Sequence, residues 1–204
     1  MKIEWHGHSC FRLETAEGSA VFDPYIDGMV PGLSPLRLTA DAVFCSHEHA
    51  DHNAADKVTL TGRTPTFTVA SLPSFHDDRR GLKRGKNTVR ILSAEGLRVA
   101  HLGDLGHMPG KKLLDALMGV DALLLPVGGF FTIDPVTAKA VADAVEARVV
   151  IPMHYRLGGM GFPQIAELSA FTDLCDNVVT CEGNSLELTA DTPAQTAVLR
   201  YAHE

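Results

Sequence analysis

The sequence has no apolar run approaching the ~18 residues that a membrane-spanning helix needs. Its start, Met1-Lys2-Ile3-Glu4-Trp5-His6, has none of the apolar stretch that makes a signal peptide. Both absences give the cytoplasm as the expected location. A basic surplus is also missing: 18 Lys and Arg stand against 25 Asp and Glu, a net charge of −7. That counts against a nucleic-acid partner, because polyanion binders usually carry excess positive charge. Cysteines are few. Cys10, Cys45, Cys175 and Cys181 show neither a C-x-x-C spacing nor a dense framework; Cys10 and Cys45, in apolar strand-like runs, read as reduced, buried thiols, although an even count leaves a disulfide open. No G-x-x-x-x-G-K-[ST] run is present, so the glycine-rich stretches at 128–131 and 158–162 read as packed loops that shape a pocket. With no linker, low-complexity stretch or internal repeat, residues 1–204 read as one domain.

What is present alternates between short strands and a few helices. Lys2–Trp5, Cys10–Glu14 and Ala20–Asp23 read as strands, with a hairpin turn at Glu17-Gly18. Residues 26–40 carry Gly28, Pro31, Gly32 and Pro35 and read as a loop. Further strands are expected at Ala42–Ser46, Thr66–Ala70, Thr88–Leu92, Leu97–Leu102, Ala122–Pro126 and Val149–Pro152, and near Val178–Thr180, Ser185–Leu188 and Ala197–Tyr201. Helices are expected at Lys111–Met118, from Asp134-Pro135 to about Ala147, and at about Gln164–Leu174. Asp134 serves as cap of the second and Pro135 as its first residue. The pattern suits a layered α/β domain with sheets inside and helices outside.

The surplus is histidine: ten of them. The segment Cys45-Ser46-His47-Glu48-His49-Ala50-Asp51-His52 follows an apolar strand and fits H-x-H-x-D-H. On an extended backbone His47 and His49 point the same way, while Asp51 and His52 turn toward a neighbouring point as the chain enters a helix. Imidazole and carboxylate together suit zinc, manganese or iron. Four donors within six residues cannot all serve one tetrahedral ion without strain, so two adjacent ions are the better reading. His76, Asp104 and His154 also stand at strand or loop ends, where loops converge and chemistry gathers in layered α/β folds.

In that order, His47–His52, His76, Asp104 and His154 resemble the ligand set of the metallo-β-lactamase superfamily. The likeness extends to Gly7-His8-Ser9, Phe22-Asp23-Pro24, Arg84-Gly85-Lys86-Asn87-Thr88, His101–His107 and Pro152-Met153-His154-Tyr155. These look like the branch of metal-dependent hydrolases that includes a sugar-phosphate lactonase and an N-acyl phosphatidylethanolamine phospholipase D. The resemblance implies a four-layer αββα sandwich with a dinuclear site at one edge of the sheets. It implies that His47, His49 and His76 hold one divalent ion and that Asp51, His52 and His154 hold a second. Asp104 would bridge them, and zinc is expected ahead of manganese or iron. True β-lactamases lack an aspartate at the position of Asp104, so antibiotic hydrolysis is not expected. The helical domain that glyoxalase II adds and the flavodoxin domain of diiron reductases are not expected.

The expected chemistry is hydrolysis by a metal-bridged hydroxide, since a bound divalent ion lowers the pKa of water toward ~7. A small ester, lactone or phosphorylated metabolite is the expected substrate. Asp51 is both a ligand and a candidate to orient the nucleophile. His8, from the Gly-His-Ser turn, and His107, three residues after Asp104, are further catalytic candidates, and Asp23 is a candidate acceptor for a ligand imidazole. His101 is set aside because its strand position turns it to the other face, and His6 and His203 are read as structural or surface residues. Arg79, Arg80, Lys83, Arg84 and Lys86 form a basic run that either lines the pocket mouth for an anionic substrate or is a solvated loop. The competing readings are phosphodiester cleavage in a nucleotide, a non-catalytic metal-binding or sensing protein, and redox chemistry on a diiron centre. Edge strands and apolar loops also permit a homo-oligomer.

Overall fold

A computed structural model describes residues 1–202; the reading of His203 falls outside the described residues. Strands β1 (Lys2–Trp5), β2 (Phe11–Thr15), β3 (Gly18–Phe22), β4 (Leu38–Ala40), β5 (Ala42–Phe44) and β6 (Val58–Leu60) build the first part of the chain. They are followed by β7 (Thr68–Phe75), β8 (Lys86–Ala94), β9 (Leu97–His101), helix α1 (Lys111–Leu117), β10 (Ala122–Pro126), α2 (Pro135–Val145) and β11 (Val149–Met153). The chain closes with α3 (Ser169–Thr172), β12 (Val178–Thr180), β13 (Ser185–Glu187) and β14 (Gln195–Val198).

Two mixed sheets result. One has the order β13-β1-β2-β3-β5, the other β12-β14-β11-β10-β9-β8-β7, and β4 pairs with β6 in a small ribbon. In the first sheet alternate residues face the second: Ile3 and Trp5, Phe11 and Leu13, Ala20 and Phe22 all join one core with Val99, Leu123, Leu125 and Ile151. Val21 points the other way, into a second cluster with Tyr25, Val30, Leu36 and Val58, closed by the loop after β3 and the β4–β6 ribbon. The parallel strands β10 and β11 are buried at every position, as strands covered on both faces must be. Helix α2 packs beside β10 and contacts both other helices. The architecture is an α/β sandwich. The helices lie with the seven-stranded sheet, while a loop and ribbon cover the five-stranded one.

Asp134 caps α2 as its sequence indicates, accepting from the Thr137 N–H at 2.7 Å, with Pro135 next and Glu146 closing the helix at a φ of 54°. Three elements differ from expectation. The helix expected over Gln164–Leu174 shortens to α3, because the backbone N–H of Ala166 goes to Gly128 O at 2.7 Å and Glu167 bridges to Arg156. A segment spending its amides on tertiary partners cannot also ladder them. Strands β4 and β6, three residues each, form only by pairing with one another, and β4 falls in the stretch read as loop. No α-helix follows His52 either; Ala55–Lys57 makes a single 3-10 turn. The four cysteines are free thiols, and of these Cys10 alone is fully buried.

Candidate metal centre

Each sheet delivers its histidines and aspartates where strands end. Segment 46–52 follows β5 and closes on itself through His52 N to His49 O at 2.9 Å. Two further backbone bonds, Ile26 N to Ala50 O at 2.9 Å and Ala54 N to Pro24 O at 2.8 Å, clamp it against the chain leaving β3. His8 sits in the β1–β2 turn, His76 follows β7, Asp104 follows β9 and His154 follows β11. His8, Asp23 and His154 hold left-handed backbones, with φ of 51°, 46° and 55°. Such conformations cost non-glycine residues about 1–3 kcal/mol and persist where the surroundings fix them. Here those surroundings include His154 N donating to His8 O at 3.2 Å, a bond that crosses between the two sheets' loops.

Asp104 is the centre of the cluster. Its Oδ2 lies 3.1 Å from His76 Nε2, 3.3 Å from His154 Nε2 and 3.8 Å from His47 Nε2, and its Oδ1 lies 3.1 Å from His52 Nε2. His47 Nε2 is 3.0 Å from His49 Nδ1. His8 Nε2 is 3.2 Å from Asp51 Oδ2. The donor atoms fall into three groups, each within 4.8 Å: His47, His49 and His76; His8, Asp51, His52 and His154; and His47, His52 and Asp104. All seven residues named as ligands are brought together. His8, expected beside them, stands within the second group.

The donor set fits divalent cations. His8 Nδ1, His52 Nε2, His76 Nδ1, Asp104 Oδ1 and both ring nitrogens of His154 are buried with no hydrogen-bond partner, whereas buried polar atoms are normally paired. His47, His49 and His8 are also kept neutral, as metal ligands must be. Burial is the largest influence on His47 and pushes it down to about 3. Burial, with His154 next to it, pushes His8 to about 4. His52 goes the other way: burial disfavours its charge, but Asp104 and Asp23 on either side outweigh it and raise it well above the usual range. Burial likewise disfavours the charged form of Asp104, yet His154 and His52 hold it well below the usual carboxylate range. The two carboxylates thus create a demand for positive charge at the cluster.

Behind the donors lies a supporting layer, of which the sequence indicated Asp23 alone. Asp23 accepts from Ser46 N and Ser46 Oγ, both at 2.6 Å, and holds His52 Nδ1 at 2.8 Å. Ser46 Oγ in turn meets His47 Nδ1 at 2.9 Å. Asn87 fixes the turn before Asp104, accepting from Asp104 N at 3.0 Å and donating to Leu102 O at 2.9 Å. His101 is not among the donor groups. Its Nδ1 accepts from Gly103 N, so its Nε2 carries the proton given to Ser9 O at 2.9 Å, beneath Asp23. Two glycines let chain segments pass close by: a Cβ on Gly106 would lie 2.3 Å from the His76 carbonyl carbon, and one on Gly128 2.1 Å from His154 O. Nothing in the local sequence marks these contacts.

The cluster opens into a cleft of about 510 Å³ that Lys83, Arg84, Phe131 and Phe162 also line. Expectation and structure part at His107. It turns away from the cluster, with Nδ1 on Met108 O at 2.9 Å and Nε2 3.5 Å from Ser74 Oγ, and lines a separate hollow against β7 and α1. Sequence spacing from Asp104 alone carries no information on which way that side chain turns.

Fold and site together define a class: an α/β sandwich whose two sheets jointly hold a histidine–aspartate cluster at their strand ends. Residues 2–154 match the family model of the beta-lactamase superfamily domain. The chain belongs to this family, with the metallo-β-lactamase fold. A crystal structure from Thermotoga maritima, assigned to the Zn-dependent hydrolases of the metallo-beta-lactamase superfamily, is 36% identical, with a TM-score of 0.78 over 97% of each chain. A UPF0173 metal-dependent hydrolase of Carboxydothermus hydrogenoformans is 30% identical over 76% of this chain and 84% of the relative. One of Geobacillus thermodenitrificans is 28% identical over 82% and 89%. Among the described residues no helix is long and apolar enough to cross a membrane.

Proposed function

We propose that this chain is a metal-dependent hydrolase that holds two divalent ions, zinc first among them, and cleaves a small ester, lactone or phosphorylated metabolite. The observation that carries this reading is the convergence of His47, His52, His76 and His154 on Asp104, with buried ring nitrogens left unpartnered beside an open cleft. His47, His49 and His76 would hold one ion and Asp51, His52 and His154 the other. Asp104 faces both groups, which supports a bridging role. Bound there, the ions supply an acidified water as nucleophile and positive charge for the oxygen of the electrophile.

The protein's own groups orient and protect that chemistry. Burial opposes the charge on Asp51, but the His8 hydrogen bond and His52 keep it ionised. An ionised carboxylate only accepts, so the shared proton sits on His8 Nε2. Asp51 is therefore held in one orientation and is placed to receive a proton from an attacking water. Asp23 fixes the ring of His52, and the Phe131 and Phe162 rings, 5.7 Å apart, limit water on the apolar side of the cleft. Lys83 and Arg84 also favour a second reading, hydrolysis of a nucleotide phosphodiester.

Elemental analysis of the purified protein tests the first step; close to two ions per chain is expected. Asp104→Ala should lose metal together with most activity in a screen of lactones, esters and phosphodiesters. Full activity with both metals retained would remove the bridging role, and failure to take up zinc, manganese or iron on reconstitution would remove the whole reading.

A further inference from the structure

The basic run carries five cations within eight residues of a chain whose net charge is −7. Among the described residues none of the five side chains is in an ion pair, and they outnumber the two carboxylates of the same loop, Asp77 and Asp78. The segment is not a slack loop. Asp77, directly after His76, gathers its backbone: Oδ1 accepts from Arg79 N at 2.8 Å and Gly81 N at 2.9 Å, and Oδ2 from Lys83 N at 2.9 Å and Arg84 N at 2.7 Å. His76 N to Gly85 O and Gly85 N to Gly81 O close the curl. A residue adjoining the cluster thereby sets where the cations stand, and two of them, Lys83 and Arg84, reach the cleft.

Arg84 is held as well as placed. Its Nη2 donates to Phe130 O at 2.8 Å, and its guanidinium carbon lies 5.6 Å from the Phe131 ring centroid. A stacked, tethered guanidinium loses little freedom on meeting an anion, and it retains N–H groups beyond the one given to Phe130. The rest of the lining outside the cluster is largely apolar. Phe131 lies 6.5 Å from the His154 ring and Phe162 lies 5.6 Å from the His8 ring, with Met29 at the rim. Glu48, the one rim carboxylate outside the cluster, is engaged by Asn53 Nδ2 at 2.6 Å. The cleft therefore brings together two cations, apolar side chains that include the ring under Arg84, and the donor cluster.

We infer that Lys83 and Arg84 recognise an anionic oxygen group on the substrate while Phe131, Phe162 and Met29 take its apolar body. This rests on the hydrolase reading and narrows it to small amphipathic acids, carboxylate or phosphate, whose scissile bond lies at the cluster. A direct test titrates the metal-loaded protein calorimetrically with phenylphosphonate, phenylacetate and neutral benzamide, using wild type, K83Q/R84Q and Arg84→Lys. At least one anion should bind wild type and bind the double variant at least about tenfold more weakly, at unchanged metal content and thermal midpoint. The anion that loses more distinguishes phosphate from carboxylate, and Arg84→Lys should restore part of the affinity. Equal binding to wild type and double variant, no binding of either anion to wild type, or benzamide binding as tightly as the anions would each overturn the inference. If the anion effect holds while no ester, lactone or phosphoester is turned over, the arm stands and the hydrolase reading falls; turnover without the anion effect means the reverse.

Discussion

Asp23 shows how much of a metal site can lie outside its ligands. Its carboxylate serves three donors at once, Ser46 N, Ser46 Oγ and His52 Nδ1, and its own backbone sits at a φ of 46°. Asp23→Ala should lower zinc affinity by about 10–100-fold, the usual effect of losing a carboxylate that orients a ligand histidine. It should also destabilise the metal-free fold, since each stranded buried donor costs about 1–3 kcal/mol. Asp23→Asn keeps the shape and tolerates the same backbone, so its loss should be smaller. Competition with a chromophoric chelator reads the affinities, and wild-type affinity in Asp23→Ala would show that His52 needs no such support. A second residue-scale expectation concerns Gly128, where even a methyl group would meet His154 O. Gly128→Ala should displace His154 and reduce metal bound per chain, read by elemental analysis. The seven donors and Asp23 were legible because their residue types are scarce and their spacing is tight. Ser46, Asn87, His101, Gly106 and Gly128 were not, since each acts on a partner that only the fold brings near.

At the scale of elements, the legible parts were those whose pattern is local. β1, β10, β12 and the capped start of α2 follow from alternation, a continuous apolar run and the Asp-Pro signal. β4, β6 and the shortened α3 depended on distant amides and carbonyls. The loop from Asp77 to Gly85 belongs to neither group, because its sequence reads as charge while its structure is a carboxylate wrapped in backbone donors. Burial raises the Asp77 carboxyl, but the N–H groups of Arg84, Arg79, Gly81 and Lys83 outweigh it and bring it to about 2. A carboxyl depressed on folding stabilises above its unfolded value, ~3.9. That contribution is lost as pH falls from about 4 toward about 2. The loop should therefore loosen in acid over that window in wild type. Asp77→Ala should show the looser loop already at neutral pH, as faster amide exchange at 79–85 with the exchange of β10 and β11 unchanged. Equal protection at 79–85 in both proteins at neutral pH would mean that the sheet edges, not Asp77, shape the loop.

For the whole molecule, the decisive feature is that neither sheet owns the centre. His8, Asp23 and segment 46–52 hang from the five-stranded sheet, whereas His76, Asp104 and His154 hang from the seven-stranded one. A cation shared among them ties the two halves of the sandwich at an edge where the apolar core has already ended. Without it, imidazoles and carboxylates from opposite sheets face each other with unpartnered buried atoms. Metal binding should therefore appear as global stability, not merely as activity. An ion at a free concentration 100 times its dissociation constant stabilises the native state by about 2.7 kcal/mol. In a chain of 204 residues that corresponds to a rise of roughly 5–10 °C in thermal midpoint. Calorimetric scans of chelator-treated protein, before and after adding zinc, should show that rise as a single sharpened transition. Asp104→Ala should lose most of it, because its carboxylate touches donors from both sheets. A midpoint indifferent to zinc, in protein that demonstrably binds it, would mean that the two sheets are held together without the centre and that the cluster was built for chemistry alone.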